Sequence, residues 1–331
     1  MNVNILFTSV GRRVELLRSF RKAYQTLGIS GRIVALDVDP LAPALRLADR
    51  PCIVPRVDRP EYIPALLEIL RAEQIAAVFP LIDPDVPVLA EHRKVLEATG
   101  ARLAVVSPAA ARIAADKWET NAFFRRLGLT VPRSWLPGQF VPAESDYPLF
   151  IKPRFGSASA QTFKVEDARQ LAFFSDYIDR PIVQEFLPGP ETTNDVVCDL
   201  DGRVLSVVSR QRIRVRAGEV IVGKTVFDPA IADACVRIAE ALPAVGPITV
   251  QCISNNTRPA FTEINARLGG GLPLGIAAGA DSPQWLLAAA ANMPVRVPPI
   301  GSYRSELYLS RFDDSLFTTE ADCERITSRG L

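Results

Sequence analysis

Glu263 and Asn265 stand two residues apart in the run Pro259–Asn265, which reads as a strand, and Arg267 follows just beyond. Alternate side chains of a strand share a face, so these polar groups point the same way. A second strand is read over Ile248–Ile253, joined to the first by the polar turn Ser254–Thr257 as a hairpin. Across that hairpin, Gln251 can join the set. Hard oxygen donors in this arrangement suit Mg²⁺, which keeps several waters and takes one or two carboxylates plus substrate phosphates. An arginine beside them can grip a phosphate with its planar fork. The same residues also fit the wet face of an ordinary half-exposed hairpin, so the remaining motifs have to decide.

Lys152 ends the apolar run Tyr147–Pro153, and the small-residue loop Arg154–Ala160 follows. Backbone that wraps phosphate oxygens needs small side chains, because its peptide N–H groups are the donors. A Walker A loop is absent; Gly223-Lys224-Thr225 imitates only its end. Gln184-Glu185-Phe186-Leu187 runs into Pro188-Gly189-Pro190, where strand-edge peptide groups could read an adenine edge. Glu191, just after, could accept from a ribose hydroxyl. Arg210, Arg212, Arg214 and Arg216 alternate, which as a strand puts them on one face. Such a run is usually a solvated face. Four like charges repel, however, and an anionic ligand would relieve them, which points to a ligand-facing role for Arg210 and Arg212.

Composition narrows the chemistry. The chain has 331 residues, enough for two or three domains, with 48% hydrophobic and 23% charged residues. A net charge of +1 and the lack of a basic block argue against nucleic acid as a main partner. The 5 cysteines are scattered, with no CxxC pair, which fits reduced thiols in a cytosol better than a disulfide or zinc framework. No secretory leader is read at the N-terminus and no apolar run of membrane-spanning length occurs, so a cytoplasmic protein is expected. His92 is the only histidine and sits in a polar segment, which leaves Ser-His-Asp or Cys-His catalysis almost nothing to use.

The elements that must position these residues change style along the chain. Up to Val106, short apolar strands alternate with helical stripes: strands at Asn4–Thr8, Arg32–Asp37, Cys52–Val54, Ala76–Leu81 and Arg102–Val106, with helices between, the last of them over Val86–Ala98. That alternation predicts a doubly wound, largely parallel sheet. Its carboxyl ends carry Ser9, Gly11, Arg12 and Arg13, then Asp37 and Asp39, then Asp83 and Asp85. A nicotinamide-dependent oxidoreductase is one alternative for this unit, but G-x-G-x-x-G is missing. A helical pair follows over Pro108–Leu127. From Pro132 onward strands dominate, with helices at Glu166–Tyr177, Pro229–Leu242 and Ser282–Asn292 and a weakly patterned tail after 310.

In this order and spacing the pieces resemble the ATP-grasp superfamily, in particular stand-alone proteins similar to half of a carbamoyl-phosphate synthase large subunit. The resemblance runs over about residues 3–310. Leu6-Phe7-Thr8-Ser9-Val10-Gly11-Arg12-Arg13 is similar to the start of the group's Rossmann-like domain. Asp116-Lys117 and Ile151-Lys152-Pro153 match its two nucleotide lysines. Gly156, Ser157 and Ser159 fall in the flexible loop, Gln184–Leu187 at the adenine hinge and Glu191 at the ribose contact. Gln251, Glu263 and Asn265 fall at the metal positions and Arg267 at the phosphate or substrate arginine. Gly269-Gly270-Gly271 and Ala278-Gly279-Ala280-Asp281 resemble the group's ending. The loop departs from the pattern: Ala158 and Ala160 stand where a second glycine and its neighbour are usual, which bears on turnover.

The resemblance implies a mixed α/β and α+β architecture. A Rossmann-like domain over 1–108 would precede a two-lobed ATP-grasp fold over 109–300, with a small lobe at about 130–188 and a large lobe at about 189–300. A C-terminal strand and tail would occupy 301–331. It implies ATP and Mg²⁺ (or Mn²⁺) as cofactors and a carboxylate–amine ligase working through an acyl phosphate on small-molecule substrates. No nucleic acid or membrane is expected, and a homodimer is an assembly common in the group. A non-catalytic ATP-binding module is the other reading. Arg267, Arg210 and Arg212 would be the catalytic arginines, and the acid would sit between the first domain and the large lobe, near Arg210, Arg212 and the Ser9–Arg13 turn.

Overall fold

The computed structural model describes residues 1–156, 160–254 and 258–328. Ser157 and Ser159 of the expected phosphate loop, with Ala158, and residues 255–257 of the hairpin turn lie outside the described residues.

The first sheet has five parallel strands: β1 (Asn4–Thr8), β2 (Ile33–Asp37), β3 (Arg50–Ile53), β4 (Ile75–Pro80) and β5 (Arg102–Leu103), in the order β3-β2-β1-β4-β5. β1 and β2 are buried along their whole length, as a parallel strand covered on both faces must be. The first crossover helix, Val14–Leu27, stops at Gly28, whose φ of 64° closes the helix in the left-handed region.

Two antiparallel sheets follow. The smaller contains β6 (Ser134–Trp135), β7 (Leu149–Pro153), β8 (Phe163–Val165) and β9 (Pro181–Glu185), ordered β6-β9-β7-β8. The larger contains β10 (Glu191–Cys198), β11 (Val204–Arg216), β12 (Glu219–Val226), β13 (Pro247–Ser254), β14 (Pro259–Asn265) and β15 (Tyr308–Ser310), ordered β14-β13-β10-β11-β12-β15. β13 and β14 are the expected hairpin, with Gln251 directly opposite Glu263 and Thr249 opposite Asn265. The mixed α/β and α+β expectation therefore holds.

The cores divide differently from the sheets. Leu6, Val78 and Val105 of the first unit pack in one cluster with Val196, Val207 and Ile248 of the large antiparallel sheet. A second cluster joins Phe7 and Phe79 to Val208, Leu272 and Trp285. The small sheet keeps its own core of Leu149, Ile151, Val165, Ile178 and Val183.

Local readings differ in three places. The expected helix over Val86–Ala98 is two short helices, Asp85–Glu91 and Arg93–Glu97. They break at His92, whose φ/ψ of −95°/10° leaves the helical well and whose ring nitrogen Nδ1 lies 2.9 Å from the Val88 carbonyl. Pairing of the strand read over Arg102–Val106 stops at Leu103. The tail carries a helix, Glu320–Ser328, that packs near β3, with Arg46 reaching Cys323 Sγ at 3.2 Å.

Candidate active site

The small and large antiparallel sheets face each other across a cavity of about 480 Å³. Lys117, Lys152, Gly156, Gln184, Glu185, Phe186, Leu187, Glu191, Gln251, Glu263, Asn265 and Arg267 all line it, and Arg212 reaches it. Residues spread over 150 positions of sequence are thus brought together. Ser157 and Ser159 are the expected site residues outside the described region, and Arg210 lies elsewhere.

Each wall is fixed by local chemistry. Asp116 caps the helix Lys117–Arg126 by accepting from the Trp118 N–H and also takes a two-pronged ion pair from Arg154, at 2.7 and 2.6 Å. This clasp holds the start of that helix against the end of β7, and Lys117 Nζ donates to the Gly156 carbonyl at 2.7 Å. Lys152, at the end of β7, is buried. Burial lowers its pKa, opposed by Glu263 and reinforced by Lys117. A buried ammonium without a close carboxylate is a standing invitation to an anion.

On β9, Gln184 donates to Ser134 Oγ at 2.8 Å, and the Glu185 carboxylate accepts from the N–H and Nε of Arg133. Both side chains are therefore spent inside the small lobe. Phe186 and Leu187 follow where the chain leaves the sheet, and both residues border the cavity. Glu191 Oε1 accepts from Arg212 Nη1 and from Gln251 Nε2, each at 2.7 Å.

The hairpin supplies the opposite wall. Among the described residues the Glu263 carboxylate has no hydrogen-bond or ion-pair partner, although the residue is half-buried. Gln251 gives its amide nitrogen to Glu191, which leaves its oxygen for another donor or an ion. Asn265 Oδ1 accepts from Arg267 Nη2 at 3.3 Å. One free carboxylate with two amide oxygens nearby, all hard donors, fits Mg²⁺ completed by water and phosphate oxygens. Arg267 is anchored by Asp83 at 3.0 Å, while its buried Nε–H has no partner.

The expected arginine strip is corrected. β11 bulges between Arg212 and Val215, so strict alternation fails: Arg210 is buried, Arg212 half-buried, and Arg214 and Arg216 exposed. Protein carboxylates, not a ligand, neutralise three of them. Arg210 lies in a two-pronged pair with Asp195 at 2.5 and 2.9 Å, at side-chain exposures of 3% and 2%; Arg212 pairs with Glu191 and Arg216 with Asp313. Sequence reasoning named neither Asp195 nor Asp83 as an arginine partner, since nothing in the spacing reveals pairs made by folding.

A second cavity of about 260 Å³ adjoins the first. Arg12, Arg13 and Asp83 from the parallel-sheet unit meet Arg210, Arg212, Arg267 and the Gly269–Gly271 turn there. Gly11 N–H, which a dinucleotide phosphate would need, donates to Asp37 Oδ2 at 2.7 Å. The turn after β1 is therefore closed on its own carboxylate.

Two family profiles match this chain. One, described as the PylC-like N-terminal domain, covers residues 5–104. The other, described as ATP-grasp in the biosynthetic pathway with Ter operon, covers 178–306. No curated protein matches. Among solved structures, L-amino acid ligase from Bacillus licheniformis is 18% identical, with TM-score 0.68 over 87% of this chain and 74% of that one. Biotin carboxylase from Campylobacter jejuni, solved as a β,γ-ATP complex, is 17% identical, with TM-score 0.68 over 92% and 74%. N5-carboxyaminoimidazole synthetase from Staphylococcus aureus, solved with ADP, is 13% identical, with TM-score 0.70 over 89% and 79%. A PylC-like match over 5–104, an ATP-grasp match over 178–306 and two facing antiparallel sheets of this arrangement together give the chain the ATP-grasp fold.

Proposed function

We propose that this protein is an ATP- and Mg²⁺-dependent ligase that activates a carboxylate as an acyl phosphate for attack by an amine. The observation that carries the reading is the Glu263 carboxylate, without a partner among the described residues and set in one cavity with Lys117, Lys152 and Arg267. The proposed division is a Rossmann-like unit over 1–108 and a nucleotide-binding pair of lobes over 109–300, with 301–331 as a closing strand and tail.

The adenine would stack between the sheets, its edge read by the peptide groups of Phe186 and Leu187, with Gln184 and Glu185 holding that segment in place. Glu191 would accept from the ribose. Lys117, Lys152 and the loop from Gly156 through Ser157 and Ser159 would neutralise the phosphates. Glu263, Asn265 and Gln251 would hold Mg²⁺ or Mn²⁺, which supplies charge neutralisation at the β- and γ-phosphates. A carboxylate oxygen attacks the γ-phosphorus, the bridging P–O bond breaks and ADP leaves with that electron pair. The amine nitrogen then attacks the acyl carbon, phosphate leaves and the amine gives up a proton. Phosphoryl transfer of this kind is mostly positioning and electrostatics, so a chain with one exposed histidine is no obstacle. Arg267 would stabilise the transferring group, while Arg210 and Arg212 act by positioning Asp195 and Glu191. The acid would occupy the second cavity.

Calorimetric titration with a non-hydrolysable ATP analogue tests the reading. Binding that requires Mg²⁺, followed by ADP release when acids and amines are supplied together, supports it. An analogue that does not bind overturns it, and metal-dependent binding without ADP release on any acid–amine pair would favour a non-catalytic nucleotide module.

A further inference from the structure

Five arginines line the second cavity, and four are in ion pairs, each with its own carboxylate: Arg12 with Glu219, Arg210 with Asp195, Arg212 with Glu191 and Arg267 with Asp83. Arg13 is the exception. Among the described residues its guanidinium makes one hydrogen bond, a long contact of 3.4 Å from Nη2 to the Leu81 carbonyl. Its surroundings make that isolation costly. Its pKa is lowered to about 10, first by burial and then by Arg267; Glu219 opposes this, and Arg311 (lowering) and Asp83 (raising) count for less. Arg267, beside it, has an Nε–H that is buried and unpartnered.

The backbone is shaped to leave the guanidinium in place. A Cβ on Gly270 would stand 2.5 Å from Arg13 Nη1. The neighbouring glycines make room for the Arg210–Asp195 pair: a Cβ on Gly269 would meet Asp195 Oδ1 at 2.6 Å, and one on Gly271 would overlap Arg210 Nη1. The triple-glycine turn thus keeps one neutralised arginine and one unneutralised arginine side by side.

We infer that Arg13 is the anchor for the carboxylate of the acid substrate, and that the cavity selects a small acid presenting one uncompensated negative charge. This deepens the ligase reading and rests on it. A guanidinium fork matches a carboxylate through two parallel hydrogen bonds. A phosphate monoester carries about −1.5 to −2 at neutral pH, more than one spare positive charge balances.

The test is arginine labelling of the full-length protein with p-hydroxyphenylglyoxal, followed residue by residue by peptide mass spectrometry. Acetate is the minimal carboxylate probe, with sodium chloride at equal ionic strength and inorganic phosphate as comparators. Arg13 should label at least several-fold faster than Arg210, and acetate should slow Arg13 labelling several-fold where chloride does not. Slowing by phosphate but not acetate overturns the carboxylate assignment, and slowing by neither overturns the anchor. Alongside, Arg13→Gln and Arg13→Lys should bind the ATP analogue with Mg²⁺ within about twofold of the parent. If the parent itself does not bind the analogue, the ligase reading fails, whereas the labelling result still decides whether Arg13 holds a carboxylate.

Discussion

Glu263→Ala removes the one carboxylate of the main cavity that has no protein partner among the described residues. Losing an outer partner of a metal ligand commonly costs 10–100-fold, so losing a ligand itself should cost at least about 100-fold in ADP release with the fold intact. Retained turnover in that variant would sink the metal assignment. Arg210 behaves differently, because its partner is inside the protein. Arg210→Met strands Asp195 as a buried, unpaired charge, which should cost about 3–5 kcal/mol in urea unfolding. The double variant Arg210→Met/Asp195→Leu should regain most of that, since replacing both ends by apolar groups is often near neutral. These residues also mark where sequence reading stops. The oxygen donors of the hairpin were visible because strand periodicity alone puts Glu263, Asn265 and Arg267 on one side. The fate of Arg210 was not, because Asp195 reaches it only through the β10–β11 pairing, and Asp83 meets Arg267 across 184 positions of chain.

Short connecting elements carry the next level of control. Asp85 opens a helix beside the turn after β1 and accepts from Thr8 and Ser9 at 2.5 and 3.1 Å. Burial still wins, raising its pKa to about 6. A carboxyl whose folded pKa lies above its unfolded value near 4 contributes stability that is present below pH 4 and is lost as pH rises through 6. The loss should be roughly 3 kcal/mol in all. Asp85→Asn should therefore flatten the stability curve between pH 4 and 6, as read by urea unfolding at stepped pH; an unchanged slope would refute the assignment. In the triple-glycine turn, Gly271→Ala should cost about 1–3 kcal/mol by overpacking, because Arg210 is clamped by Asp195 and cannot yield. Gly270→Ala should cost less, since the Arg13 side chain can swing away. At this scale the alternation of strand and helix up to Val106 was legible from apolar periodicity. The break at His92 was not, being a matter of one residue's backbone, and the tail helix Glu320–Ser328 was not, because among its described side chains only Ile326 is buried.

At the scale of the molecule, the nucleotide cavity is walled by two sheets with separate cores. A ligand that bridges them stabilises the folded protein by mass action, about 3 kcal/mol at a hundredfold excess over its Kd. The ATP analogue should accordingly raise the melting temperature by several degrees with Mg²⁺ and little without it, which differential scanning fluorimetry reads directly. Equal shifts with and without the metal would argue against a metal-bridged nucleotide. The first unit and the large sheet, in contrast, share two apolar clusters and are pinned again beside the arginine cavity. There Arg311 donates to the Gly270 carbonyl at 2.6 Å and pairs with Glu15.

Because the Leu149–Val183 core stands apart from those shared clusters, the small lobe is tied to the rest of the molecule by few links: the chain crossings before Ser134 and after Glu185, the Asp116–Arg154 clasp and the Asn121 bonds to Pro132 and Ser134. A swing of the lobe about these links would leave both larger cores intact, which would put it in the microsecond-to-millisecond range of hinge motion. For the proposed ligase, escape of spent nucleotide would then be paced by those few links, while the two shared apolar clusters keep the arginine pocket and the large sheet together.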